Sequence, residues 1–236
     1  MNNQKLSIPQ WVLLYSVPIV IALIVRALVV PAFISVEIPQ FQANFVYIGL
    51  IIIFELGYML YLGKKLTGRF SLKHVILYRE RLPIWQYIVF TIVLLVFSFG
   101  IIFLMTPISM TLRETVFSWV PASTGFNPSE FSQSGLVITL IVFAILNLSI
   151  AVVEELYYRG FLLPRMSGLG FWAPLVSVVL WAITHLGQPW DIPGFIIMFI
   201  PLAYIVRWKK NVYLAILGHT LGNLINIIMI GSMVFG

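Results

Sequence analysis

The sequence predicts an all-α, polytopic transmembrane helical bundle of about seven spans, with an eighth as the alternative. Three observations predict it. Hydrophobic residues make up 61% of the 236-residue chain and charged residues only 9%, far below the roughly 25% charged residues of an average soluble domain. The mean hydropathy is +1.02. The apolar residues also fall in long unbroken runs, where a membrane β-barrel would show short alternating strands. A soluble fold has no means of hiding that much apolar surface.

A spanning helix needs about 20 mostly apolar residues. Such runs lie at 11–34, 43–63, 84–106, 135–160, 171–187, 194–207 and 211–235. The first run follows a segment whose only basic residue is Lys5, and it is long enough to span, so it reads as a helix and not as a cleaved signal. The sixth run is short, which predicts a tilted or partly re-entrant helix. Pro164, Pro174, Pro189 and Pro193 punctuate the second half and blur its boundaries. Between the third and fourth runs, 107–134 is polar enough to leave the membrane. Its Leu112 to Val120 portion has the composition of a helix lying along the interface. The chain reads as a single integral-membrane domain, 1–236, without internal repeats or a nucleotide-binding glycine loop.

Charge sets the expected orientation. Lys64, Lys65, Arg69, Lys73, Arg79 and Arg81 crowd the loop between the second and third runs. Placing that loop in the cytoplasm puts twelve of the fourteen Lys and Arg residues on one side, with Arg26 and Arg113 the exceptions. The N-terminus is then cytoplasmic. In a membrane protein the formal charge of +6 reflects such loops and not a nucleic-acid partner. His74 falls in the same loop and reads as solvated. With no cysteine, disulfides, thiol catalysis and Cys-ligated metals are excluded.

Three polar stretches interrupt the apolar runs. Ionisable residues inside a membrane cost at least a few kcal/mol, so each is a functional candidate. The first is Glu154-Glu155-Leu156-Tyr157-Tyr158-Arg159. Glu155 and Arg159 are four apart and share a helix face, so they read as an ion pair. Glu154 points about 100° away and has no basic partner at helical spacing, which leaves it as the catalytic carboxylate. Asn147 lies two turns back on its face. Taken alone, both glutamates also read as interfacial anchors at a helix end.

The second stretch, Trp181-Ala182-Ile183-Thr184-His185, carries one histidine with Trp181 a turn below it. By itself such a histidine also reads as a packing residue. The third places His219, Asn223 and Asn226 along one face, beside the small pair Gly218 and Gly222. The asparagines read either as the lining of a cavity or as interhelical glue.

Depth lets the three meet. At 1.5 Å per residue, Glu154 lies roughly 14 Å, His185 about 21 Å and His219 about 12 Å from their inner helix ends. All fall in the central band of a core about 30 Å thick. A carboxylate and a histidine there can activate water, and a second histidine with an asparagine can stabilise an oxyanion. On this reading the chain is a hydrolase or a proton-coupled transporter. Arg26 and Glu55, the other intramembrane charges, are expected to pair across the first two helices.

Glu154-Glu155-x-x-x-Arg159, Trp181-x-x-x-His185 and His219-x-x-x-Asn223 match in order the three motifs of the CAAX protease and bacteriocin-processing family (CPBP, or Abi). The chain resembles that family, and its eukaryotic Ras-converting CAAX endopeptidase, over about residues 135–230. The second motif usually opens on Phe; here it opens on Trp181. The resemblance implies an intramembrane endopeptidase in which Glu154 and His185 activate water and His219 and Asn223 form the oxyanion hole. Glu155 and Arg159 then support the site. A family long labelled metalloprotease also implies a possible divalent metal, with Glu154, His185 and His219 as ligands to Zn²⁺. The motifs do not require one, and no His-Glu-x-x-His helix is present. The expected partners are the bilayer and a membrane-tethered peptide or protein substrate, reached through a cavity facing the cytoplasm. A non-catalytic immunity or scaffold protein is the alternative the resemblance leaves open.

Overall fold

The computed structural model describes residues 6–120 and 126–235. Seven apolar helices run back and forth through it. They are α1 (Ile8–Ser35), α2 (Ala43–Thr67), α3 (Ile84–Thr115), α4 (Gln133–Arg165), the short α5 (Ser167–Ile183), α6 (Pro189–Lys209) and α7 (Tyr213–Phe235). All but α5 are long and apolar enough to cross a membrane. Helices satisfy every backbone group internally, which is what hydrocarbon surroundings require.

Local signals mark the ends. Ser7 and Gln10 form a capping box at the start of α1. The Ser132 hydroxyl accepts the Gly135 N–H at the start of α4 (3.2 Å). Gly68, at φ 77°, closes α2 with its N–H on the Lys64 carbonyl (2.8 Å). Lys210 turns left-handed to end α6, and the Asn211 side chain then accepts the Leu214 N–H at the start of α7 (3.1 Å).

Three expectations need correction. The short helix is the fifth and not the sixth, because Pro189 and Pro193 initiate α6 instead of breaking it. Proline is well suited to a first turn, where its missing N–H has no partner to lose. No separate interfacial helix forms over 112–120: α3 runs on through Pro107 to Thr115 and then turns. The rest of that polar connection, 121–125, lies outside the described residues. Finally, Arg26 and Glu55 do not pair. Arg26 donates to the Leu186 carbonyl (3.2 Å), and Glu55 is fully buried away from it.

One end of the bundle is stapled by backbone hydrogen bonds. The loop after α2 gives Leu77 N–H to the Gly160 carbonyl (3.0 Å), and its Tyr78 carbonyl takes the Val212 N–H (3.0 Å). Asn211, fully buried, donates to the Glu80 carbonyl and the Tyr87 hydroxyl. Arg165 reaches the Val75 carbonyl (2.9 Å). Just inside this end sits the core: Tyr157, Tyr158, Phe161, Leu162, Val206 and Leu214 are buried completely or nearly so. At the other end Ser109 donates to the Trp190 carbonyl (3.3 Å) and Gln42 to the Thr139 hydroxyl (3.1 Å).

Candidate active site

The site grows out of a change in helix type. From Glu155 to Leu162, α4 widens into a π-helix. Pro164 follows, lacking an N–H and crowding the carbonyl four residues back, Gly160. Widening relieves the crowding, and the Gly160 carbonyl is taken instead by Leu77. The π segment Val25–Val29 likewise precedes Pro31 in α1. Such segments occur often at functional sites.

Glu154 and Glu155 diverge where the π-helix begins. Glu155 is wholly buried and turns to the protein side. One of its carboxylate oxygens meets the Arg159 Nε at 3.4 Å, and the other meets the His219 Nδ1 at 2.9 Å. The expected pair with Arg159 is therefore present, and it extends to α7. The Arg159 guanidinium is also fully buried and lies over the rings of Trp181 (4.8 Å) and Phe199 (5.3 Å). Aromatic faces stabilise a desolvated cation by electrostatic attraction.

Glu154 faces the opposite way, into a cavity of about 900 Å³. Its Oε2 accepts the Trp181 indole N–H at 3.2 Å. His185 lies just past the last turn of α5, its ring 4.6 Å from that of Trp181. The Thr184 hydroxyl donates to the Trp181 carbonyl (2.7 Å). Its oxygen is thereby left to accept from His185 Nδ1 at 3.3 Å. That places the proton of neutral His185 on Nδ1 and the lone pair on Nε2. On α7, Asn223 gives one N–H to the Asn147 carbonyl (3.1 Å) and keeps a second. Glu154, His185, His219, Asn223, Asn147 and Asn226 all line the one cavity. The three polar stretches of the sequence therefore converge.

Thr184 was not legible as a site residue, and Trp181 was legible only as the opening of the second motif: an indole N–H aimed at a carboxylate and a hydroxyl aimed at a ring nitrogen depend on tertiary placement. Glu55 is the third such residue. It is fully buried on α2, within electrostatic reach of Glu154, Arg159 and Glu155, and both its oxygens have no hydrogen-bond partner among the described residues.

The donor set does not fit a resident metal. Among the described residues no group of three His, Asp or Glu side chains converges as a metal site, and His219 Nδ1 is already engaged by Glu155.

Fold and site together define an integral multi-pass membrane protein with a cavity among its helices whose wall carries several polar side chains. Residues 135–225 match the family model described as type II CAAX prenyl endopeptidase Rce1-like, and over that segment the chain is similar to that family. The matched segment contains Glu154, Glu155, Arg159, Trp181, His185, His219 and Asn223, and the match supports a protease-type membrane enzyme. No curated protein and no solved structure matches the chain.

Proposed function

We propose that the protein is an intramembrane endopeptidase that hydrolyses a peptide bond in a membrane-associated protein or peptide. The observation that carries this is the meeting of Glu154, His185, His219 and Asn223 on the wall of one cavity. Water in that cavity is the nucleophile. Glu154 takes its proton as general base, and the Nε2 lone pair of His185, set by Thr184, holds the water in line. Attack on the carbonyl carbon gives a tetrahedral oxyanion. The free N–H of Asn223 and the Nε2–H of His219 stabilise it, while the Glu155 contact to His219 Nδ1 keeps the ring aligned. Glu154 then returns the proton to the leaving amine. The chemistry is glutamate-dependent and needs only the groups named.

The test is hydrolysis by purified protein in bilayers of a panel of membrane-tethered peptides. Glu154→Gln, His185→Ala and His219→Ala are each expected to lower the rate by about 10²–10⁴-fold, the usual worth of a positioned acid or base. Full activity in Glu154→Gln sinks the proposal. Glu154→Gln protein that still moved a solute across proteoliposomes would point instead to a transporter.

A further inference from the structure

Of the four residues placed in the reaction, His185 alone stands outside a helix. Glu154 lies on α4, and His219 and Asn223 on α7. Helix α5 ends at Ile183, and His185 falls in the turn that follows. A catalytic group on a turn needs support from its surroundings to keep its geometry. The last carbonyls of a helix also need partners from beyond it.

Part of that need is met within the segment. The Thr184 and His185 N–H groups take the Trp181 and Ala182 carbonyls (both 3.0 Å), and the Gln188 N–H takes the His185 carbonyl (2.9 Å). The carbonyls of the two residues that flank His185 are held from elsewhere. The Tyr47 hydroxyl, on α2, donates to the Thr184 carbonyl (3.3 Å). Arg26 Nη1, on α1, donates to the Leu186 carbonyl (3.2 Å). Both donors belong to the wall of the cavity that His185 lines. The imidazole itself is fixed by Thr184 at Nδ1 (3.3 Å) and by the rings of Trp181 (4.6 Å) and Phe195 (5.0 Å).

An arginine is costly inside a membrane span, so its position calls for a reason. The C-terminal end of a helix carries a partial negative charge that a nearby cation stabilises. Arg26 projects from the π-helical segment Val25–Val29 to the end of α5, where that charge lies. Arg26 and Tyr47 both fall outside the matched residues 135–225. We propose that Arg26 and Tyr47 are positioning residues: their two hydrogen bonds clamp the turn after α5 and hold the His185 imidazole in register with Glu154. The first two helices then serve the site as well as spanning the membrane. The catalytic role of His185 rests on the peptidase reading; the clamp on its backbone does not.

Arg26→Met and Tyr47→Phe each remove one donor, and Arg26→Lys keeps a cationic one. Hydrogen–deuterium exchange of the protein in bilayers reads the clamp. In both removal variants the amides of 184–188 are expected to exchange about three- to tenfold faster, the worth of one hydrogen bond. The 213–223 segment of α7 stays unchanged, and Arg26→Lys recovers most of the protection. Hydrolysis of the membrane-tethered peptide panel reads the consequence. In the removal variants kcat is expected to fall about 10- to 100-fold, the scale of a misplacement of about 1 Å, while KM stays within about twofold. Unchanged exchange at 184–188, or faster exchange in both segments alike, overturns the clamp. Local loosening with an unchanged kcat, or a loss carried by KM alone, overturns the positioning role. Local loosening in variants of a parent protein that hydrolyses no peptide leaves the clamp standing and removes the peptidase reading instead.

Discussion

Thr184 decides which nitrogen of His185 is basic, and it does so with one hydroxyl. Because that hydroxyl is committed to the Trp181 carbonyl, its oxygen holds a proton on Nδ1. Thr184→Val keeps the shape but frees the ring to adopt either tautomer. A loss of about 10- to 100-fold in hydrolysis is expected, of the order of one hydrogen bond to a reacting group, with Thr184→Ser restoring most of it. No recovery in the serine variant would show that the threonine acts only through packing. Arg159 is the structural counterpart. It is buried with Glu155, and removing one member of a buried pair strands the other, at a cost of about 3–5 kcal/mol. Arg159→Met should therefore lower the unfolding midpoint of the purified protein well before any question of turnover arises. Glu154, Glu155, Arg159, His185, His219 and Asn223 could be picked out in the sequence because polar groups inside apolar runs are expensive and hence rarely incidental. The pairing of Arg26 with Glu55 failed on the same logic. Two lone charges on neighbouring helices looked like partners, but nothing in a linear chain says how far apart along the bundle they will settle.

The elements show the same division between what length reveals and what packing decides. Run length was enough to find every long helix, since a bilayer imposes one dimension on all of them. It misjudged α5 and α6, where prolines that read as breaks proved to be helix starts. The π-helical stretch was invisible, because widening changes hydrogen-bond partners and not residue type. Its neighbour Gly160 is a sensitive probe. A side chain there would begin 3.0 Å from Ile76 and 3.4 Å from Val212, so Gly160→Val should cost about 1–3 kcal/mol by overpacking. A scan of thermal midpoints would read it, and an unchanged midpoint would mean that the 68–83 loop is not held against α4. Asn211→Ala tests the same junction from α7. It removes the donor to Glu80 and Tyr87 and the cap on Leu214. It too should lower the midpoint, by at least the roughly 1–3 kcal/mol of an unsatisfied buried group.

At the scale of the molecule, the candidate site and the fastening lie at different heights. The polar residues converge at mid-depth, the close packing lies toward the basic end, and the cavity extends away from it. Composition announced a membrane bundle, and the distribution of lysine and arginine marked one end of it as basic. Neither could announce on which side of the catalytic carboxylate the space would be, because that depends on where side chains fill the interior and where they fall short.

The fastening has a mechanical corollary. Helices clamped at one end by the Leu77–Gly160 and Tyr78–Val212 bonds are levers pivoting about that clamp. Lateral pressure from surrounding lipid then acts with most leverage on the free tips and with least on Glu154. Reconstitution in acyl chains of increasing length should shift KM several-fold while kcat stays nearly constant. The bilayer would then tune which peptides are admitted, leaving the speed of cleavage to the groups near the pivot.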